Sequence, residues 1–203
     1  MLNYSYTCLA PIYNIVVKRA TQPMREYSIA KLGETHNTNI LIGGIGTGLD
    51  IPLLPANANY VGLDMNAAML KRAKRITPAQ LKIDLQLGSI MKMPYVNATS
   101  ETGFDKIILH LIVSVAGDPF KVLQESLRVL KPGGSINILD KFLRPGQKAP
   151  LRRGLNPIMR RIATRTDVII EDVLTQLPTL TVTEDTPLLA NGWFRFIQLT
   201  KQH

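Results

Sequence analysis

Short apolar runs separated by amphipathic stretches recur along the chain, and this pattern predicts alternating strands and helices. Five of these runs have the length of a strand rather than a helix, at residues 39–43, 59–64, 81–87, 106–111 and 135–140. Most intervals between them carry apolar residues at helical spacing. Because strands that alternate with helices build a parallel sheet covered on both faces, the pattern predicts a doubly wound α/β fold.

The helical intervals contain their own start and stop signals. A helix over residues 22–33 has a proline in its first turn and a glycine as its stop. Asn66 and Asp118 are expected to cap two further helices, since their side chains accept hydrogen bonds from the first backbone N–H groups. Helices are also predicted over 47–54, ending at the proline that follows, and over 170–177.

The two ends of the chain complete this plan. Runs at 180–184 and 193–199 are joined by a short segment and predict an antiparallel hairpin. Residues 1–36 mix aromatic and apolar side chains and predict an N-terminal helical cap. We expect a single domain over 1–203, divided into the cap, a ligand-binding half at 37–141, and a basic segment with the hairpin at 142–203.

The composition is that of a globular protein with a basic surface. Apolar residues make up 45% of the 203 residues and charged residues 19%, and the formal net charge is +9. A basic surface attracts phosphate groups, although it also serves solubility alone. A single cysteine, Cys8, excludes an intramolecular disulfide, and three scattered histidines predict no metal site.

Targeting signals are not evident in the sequence. The first basic residue is Lys18 and Pro11 interrupts the first apolar stretch, which is unlike a signal peptide. The longest apolar run, 107–116, is roughly half the length that crosses a bilayer. We therefore expect a cytoplasmic protein, with peripheral contact to the inner face of the membrane as the open alternative.

A glycine-rich turn follows the first predicted strand, with the spacing Gly44-x-Gly46-x-Gly48. The dinucleotide-binding fingerprint requires its third glycine at Leu49, and no lysine follows as in a phosphate-binding P-loop. The turn therefore predicts a nucleoside ligand held without a phosphate clamp. Asp64 ends the second strand 20 residues after Gly44, where a carboxylate accepts hydrogen bonds from ribose hydroxyls.

These features, taken in order, resemble the class I S-adenosylmethionine-dependent methyltransferases. The resemblance rests on the glycine turn, on Asp64, on Phe104-Asp105 opening the fourth strand, and on the turn at 128–134 before the fifth. It implies a Rossmann-like, seven-stranded sheet of five parallel strands and a C-terminal antiparallel hairpin. It also implies S-adenosylmethionine as the methyl donor and S-adenosylhomocysteine as the product.

The resemblance assigns a set of residues to the cofactor. The glycine turn approaches the methionine and ribose portions, the acid binds ribose, and the remaining residues border the adenine. These residues are Gly44, Gly46, Thr47, Gly48, Asp64, Met65, Ser89 and Ile90. Two alternatives stay open, that Asp64 caps a helix and that Met65 belongs to the core. Ile42 and Ser89 stand where the family commonly has acids, which leaves a non-catalytic binding domain as a further alternative.

Methyl transfer from a sulfonium needs alignment more than acid–base catalysis, and the sequence contains no paired carboxylates for it. His110, at the end of the fourth strand, is the candidate for accepting a proton from the substrate. Its alternative is a hydrogen-bonded residue of the core. Tyr13 is the candidate for closing over the sulfonium, because an aromatic face attracts a cation.

A narrower resemblance concerns the methyl acceptor. Residues 10–14, Met24-Arg25, 46–52 and 113–119 are similar to bacterial phosphatidylethanolamine N-methyltransferases, and the ubiquinone/menaquinone C-methyltransferases are similar in the same positions. The resemblance implies a lipid or small-molecule acceptor, with a soluble molecule or a quinol as the alternative to phosphatidylethanolamine. It predicts neither the acceptor atom nor the oligomeric state.

Much of the positive charge falls between Lys141 and Arg165, a stretch without acids. With the N-terminal helices, this stretch is expected to contact anionic lipid headgroups. The alternative is a solvated helix face. Because Phe142 is its only aromatic residue, stacking on nucleic acid bases is not expected.

Overall fold

A seven-stranded sheet organises the part of the chain that the computed structural model describes, residues 21–144, 168–189 and 192–202. The strands are β1 (Asn39–Gly43), β2 (Asn59–Asp64), β3 (Ile83–Leu87), β4 (Phe104–His110), β5 (Leu130–Lys141), β6 (Leu180–Leu189) and β7 (Phe194–Lys201). Their order across the sheet is β3-β2-β1-β4-β5-β7-β6. The first five strands are parallel, and β7 pairs antiparallel with both β5 and β6. The predicted Rossmann-like sheet with its C-terminal hairpin is confirmed.

Helices cover both faces of this sheet. Residues 21–30 are helical (α1), and α2 (Ala67–Ile76), α3 (Pro119–Val129) and α4 (Ile170–Leu174) follow. Asn66 caps α2 by accepting from the backbone N–H groups of Ala68 and Met69, at 2.9 and 3.3 Å. Asp118 caps α3 in the same way, accepting from the N–H of Lys121 at 3.2 Å. Both predicted caps are confirmed.

The helix predicted over 47–54 is wrong. The chain forms turns there and a single 3₁₀ turn at Ile51–Leu53. Gly48 has a φ of +84°, which a right-handed helix does not accommodate. Leu54, which precedes the next proline, has extended backbone with φ −72° and ψ 133°. Too few residues remain to nucleate an α-helix before the next proline.

The core lies on the two faces of the central strands. Alternate residues of a strand point to opposite faces. Leu41 and Ile107 therefore join the cluster on the α3 side, while Ile42 and Ile108 join the cluster on the α1 and α2 side. All four are at most 1% exposed, so β1 and β4 are buried on both faces below the carboxyl edge of the sheet. Within the described residues, no helix is long and apolar enough to cross a membrane.

Candidate active site

The carboxyl ends of β1, β2 and β4 meet at one edge of the sheet, and the glycine turn lies there. The backbone N–H groups of Gly44 and Ile45 donate to the carbonyl oxygen of Leu63, at 2.8 and 3.1 Å. These bonds carry the chain from the end of β1 across to β2. Gly44, Gly46 and Gly48 all have positive φ, which side-chain-bearing residues adopt only with strain.

The three glycines differ in what surrounds them. A Cβ on Gly44 would lie 2.8 Å from Cδ1 of Ile112, and one on Gly48 would lie 2.7 Å from Cδ1 of Ile51. At these two positions glycine is required by the packing of the protein itself. Among the described residues, a Cβ on Gly46 would meet no atom closer than 3.9 Å, the distance to the carbonyl oxygen of Gly44. Open space therefore lies over the backbone of Gly46, where a ligand has room to approach.

Asp64 lies directly against this turn. Its Oδ2 accepts from the backbone N–H of Gly46 at 2.8 Å, and its Oδ1 accepts from the N–H of Asn66 at 2.9 Å. Each oxygen keeps a further lone pair for a ligand. Burial raises the pKa of the carboxyl above its ordinary 3.8, although the backbone N–H groups of Asn66, Gly46 and Met65 act in the opposite direction. Because Asn66 is the residue that caps α2, the carboxylate of Asp64 is not used as the helix cap.

The predicted adenine-side residues lie next to Asp64 along the same edge. Met65 is 70% exposed, which excludes the core alternative for its side chain. The backbone N–H of Gly88 donates to the carbonyl oxygen of Asp64 at 3.0 Å, so Ser89 is held beside β2. The Oγ of Ser89 accepts from the N–H of Met91 at 3.2 Å. Ile90 is buried in the core, and Thr47 is half-buried in the glycine turn.

This arrangement fits a nucleoside cofactor. It offers open space over a glycine backbone, a carboxylate with free lone pairs beside that space, and an exposed apolar side chain after the carboxylate. A carboxylate accepts two hydroxyls of a ribose, and a thioether packs well against an aromatic base. Gly46, Asp64 and Met65 are therefore the described residues best placed to hold the cofactor.

His110 lies at the end of β4 as predicted, but its side chain faces the interior. The side chain is 1% exposed, Nδ1 lies 2.8 Å from Oδ1 of Asp50, and Nε2 lies 2.8 Å from Oγ of Ser28. Both ring nitrogens thus have protein partners. This geometry favours the alternative reading, a hydrogen-bonded residue of the core. Tyr13, the other catalytic candidate, lies outside the described residues.

Asp50 also pairs with Arg25, and neither of them was predicted to lie at the site. Nη1 of Arg25 donates to Oδ1 of Asp50 at 2.6 Å, and both side chains are buried. Burial alone would raise the pKa of Asp50, but His110 and Arg25 outweigh it and hold the pKa well below its ordinary value. The sequence carries no spacing signal for this cluster, because α1 brings Arg25 in from 25 residues away.

The segment after β4 forms an apolar wall beside the glycine turn. Leu111 has a φ of +58°, which is rare for a residue with a bulky side chain. Its N–H donates to the carbonyl oxygen of Leu139 at 2.7 Å. Ile112 then lies against Gly44. Residues 111–116 contain no charged side chain.

A second buried carboxylate fixes this wall to β5. Oδ1 of Asp140 accepts from Oγ of Ser114 at 2.6 Å, and Oδ2 accepts from the N–H of Ser114 at 2.8 Å. Burial raises the pKa of Asp140 despite these bonds, and burial lowers the pKa of Lys141 beside it. Both oxygens of Asp140 thus bind protein groups, so this carboxylate holds the segment after β4 in place.

An open cleft of about 450 Å³ lies at the opposite edge of the sheet. It is lined by residues at the amino ends of β1, β2 and β4, among them Asn39, Asn59 and Phe104. Ligands of open α/β sheets bind outside the carboxyl ends of the strands, so this cleft is not the candidate active site. Within the described residues, no group of three or more metal-ligating side chains is present.

Comparisons with known proteins agree with this geometry. A family model described as a methyltransferase domain matches residues 41–138. A solved S-adenosylmethionine-dependent methyltransferase from Thermotoga maritima, described as a possible histamine N-methyltransferase, superimposes with a TM-score of 0.71. That structure is 15% identical and the match covers 100% of both chains. The chain contains an S-adenosylmethionine-dependent methyltransferase domain.

Two relatives of this methyltransferase differ in their acceptors. Phosphatidylethanolamine N-methyltransferase of Cereibacter sphaeroides is 26% identical over 196 residues, which cover 94% of this chain and 93% of the relative. Demethylmenaquinone methyltransferase of Renibacterium salmoninarum is 29% identical over 126 residues. That match covers 62% of this chain and 50% of the relative, so the chain spans half the length of the menaquinone enzyme.

Proposed function

We propose that this methyltransferase N-methylates phosphatidylethanolamine or a similar amphiphile by in-line transfer. The observation that carries the proposal is the end-to-end match with the phosphatidylethanolamine enzyme of Cereibacter sphaeroides, which spans 93% of that relative. The match with the menaquinone enzyme spans 50% of its length. Acceptor specificity depends on segments outside the shared cofactor half, so the longer match weighs more for the acceptor.

The cofactor side of the mechanism rests on the glycine turn and Asp64. S-adenosylmethionine supplies a methyl group on a positively charged sulfur, so the acceptor's lone pair bonds to carbon while the carbon–sulfur electron pair goes to sulfur. Gly46 admits the cofactor, Asp64 accepts from the ribose hydroxyls, and Met65 packs on the base. Thr47, Ser89 and Ile90 complete this proposed site. Its contribution to the rate is alignment of the reacting atoms.

The acceptor side is proposed to use the apolar wall after β4. Leu111 and Ile112 provide apolar surface against which an amphiphile can pack. Residues 111–116 contain no charged side chain that could form an ion pair with the amine of the acceptor. Since both ring nitrogens of His110 have protein partners, we assign His110 a positioning role in place of proton acceptance. The amine then loses its proton to solvent before it reacts. Tyr13 keeps its proposed place over the sulfonium.

Contact with anionic membrane is proposed through the N-terminal helices and the basic stretch 141–165. The sequence supports this, because that stretch has no acid to offset its lysines and arginines. Most of both segments lies outside the described residues. Flotation with vesicles of phosphatidylethanolamine, with and without an anionic lipid, tests it. Binding that does not depend on the anionic lipid would count against the proposal.

A quinol is the second candidate acceptor, and the match with the menaquinone enzyme favours it. The two candidate acceptors are distinguished by incubating the purified protein with radiolabelled S-adenosylmethionine and either phosphatidylethanolamine vesicles or a demethylmenaquinol. We expect label in N-methylated phospholipid, and Asp64→Asn as the control should lose most of it. Label in the quinone fraction alone would replace the proposal with quinol methylation. Label in neither, with no cofactor binding, would favour the non-catalytic alternative.

A further inference from the structure

Four buried polar side chains from three parts of the fold form one hydrogen-bonded cluster. Arg25 and Ser28 come from α1, Asp50 follows the glycine turn, and His110 ends β4. Oδ1 of Asp50 accepts from Arg25 at 2.6 Å and lies 2.8 Å from Nδ1 of His110. The other ring nitrogen lies 2.8 Å from Oγ of Ser28. We refer to these four residues as the α1 latch.

The order of contacts in the α1 latch is that of a hydrolase relay, but the latch has no access to a substrate. Ser28 is 0% exposed and lies within a helix. A neutral imidazole satisfies both neighbours, donating from Nδ1 to the carboxylate and accepting from the hydroxyl at Nε2. Arg25 balances the charge of Asp50, so the buried carboxylate is paired. The latch therefore joins parts of the fold and does not perform chemistry.

The latch connects the end of the glycine turn, where the chain leaves it at Asp50, to α1 and β4. The entry of the turn is bonded to the carbonyl oxygen of Leu63, and its middle is bonded to Asp64. Asp50 follows Gly48 by two residues, and the N–H of Ile51 donates to the carbonyl oxygen of Gly48 at 3.0 Å. The carboxylate of Asp50 therefore ties the exit of the turn to β4 and to α1.

We propose that Arg25, Asp50 and His110 are positioning residues through which the docking of α1 and the binding of cofactor at the glycine turn are coupled. The inference rests on the cofactor site and not on the identity of the acceptor. By reciprocity, cofactor that favours the ordered turn must also favour docked α1. The coupling is expected because a turn that is already ordered loses less conformational entropy when it binds its ligand.

Other contacts of α1 provide a matched comparison. Nδ2 of Asn137 donates to the carbonyl oxygen of Ser28 at 2.8 Å. Farther along, Nζ of Lys31 lies 2.8 Å from Oε2 of Glu184 in β6, and the Tyr27 hydroxyl donates to the same carboxylate. These bonds hold α1 to the sheet without touching the turn. A variant at Glu184 therefore removes a contact of α1 that does not reach the turn, while the latch and the Asn137 bond keep α1 docked.

The test compares a latch variant with that remote variant. The pair Arg25→Met with Asp50→Asn removes both buried charges together, which avoids leaving an unpaired ion in the interior. The measurements are the Kd for S-adenosylhomocysteine by calorimetry and the thermal midpoint. We expect the double variant to raise the Kd at least tenfold, and Glu184→Gln to change it less than twofold. An unchanged Kd in the folded double variant, or an equal rise in both variants, would overturn the proposal.

Hydrogen exchange on the unmodified protein gives a second test that does not depend on any variant folding. Saturating S-adenosylhomocysteine is expected to slow exchange at least tenfold at the backbone amides of residues 25–30 as well as at the glycine turn. Protection confined to the turn would refute the coupling. Neither readout requires methyl transfer, so failure of the phosphatidylethanolamine assignment and failure of the latch are distinguishable.

Discussion

Gly46→Ala tests ligand exclusion apart from steric clash within the protein, because the described residues leave room for the added methyl group. The φ of Gly46 is +57°, and a Cβ there would lie 3.9 Å from the nearest atom of the described residues. The stability loss should therefore be that of left-handed backbone alone, about 1–2 kcal/mol. The methyl group would occupy the space over the turn. Cofactor affinity should then fall at least about tenfold, equivalent to roughly 1.4 kcal/mol.

The chain contains a matched control for this substitution. Gly33 has a φ of +65° and lies after α1 rather than at the turn, and no atom of the described part of the chain lies within 4 Å of its Cβ position. Gly33→Ala should lose the same stability in denaturant unfolding but keep the wild-type Kd for S-adenosylhomocysteine in calorimetry. The reasoning is refuted if Gly46→Ala binds as the wild type does, or if Gly33→Ala weakens binding equally.

Three further predictions concern one half-buried carboxylate and two buried ones. Asp64→Asn should weaken S-adenosylhomocysteine binding by about 1.5–3 kcal/mol in calorimetry, the value of hydrogen bonds to a charged group. Because burial raises the pKa of Asp64, wild-type affinity should fall on acidification with a midpoint above 3.8, and the variant should lack this step. Ser114→Ala should lower the free energy of unfolding by about 1–3 kcal/mol, since fully buried Asp140 loses a donor. Asp50 has a depressed pKa because it faces His110 and Arg25, so its carboxylate should stabilise the fold above pH 3.8. In acid unfolding measurements, the free energy of unfolding should decrease as the pH falls toward the pKa of Asp50 in the folded state. Asp50→Asn should make the free energy of unfolding depend less on pH.

The strands that carry the proposed cofactor site were predictable because their signals are local. β1 and β2 run over the predicted residues, since each is a short apolar run ended by glycine or an acid. Parallel pairing then brings the ends of the two strands to the same edge, which is why Asp64 meets Gly46. The prediction of a helix over 47–54 was wrong because the spacing of residues along the sequence does not show that φ is positive at Gly48.

The partners of His110 were beyond sequence reasoning for a different reason. The end of β4 was predicted to within one residue, so the position of the imidazole was known. Its neighbours Asp50 and Ser28 are 60 and 82 residues away, and no repeat or spacing links them. They meet because α1 packs over β4, through apolar contacts that many sequences satisfy. A long-range polar contact of this kind follows from tertiary packing.

Ile42 occupies a position where the family resemblance leads us to expect an acid, and its surroundings show what this difference means for ligand binding. Ile42 is 1% exposed in the cluster shared with α1, so it offers no polar group to a ligand. Of the two carboxylates that flank the turn, Asp50 is neutralised by Arg25, while Asp64 keeps free lone pairs beside the open space over Gly46. Among the described residues beside the turn, Asp64 is therefore the carboxylate left to bind a ligand. For that reason, cofactor affinity in this methyltransferase should depend on the protonation of a single carboxyl group.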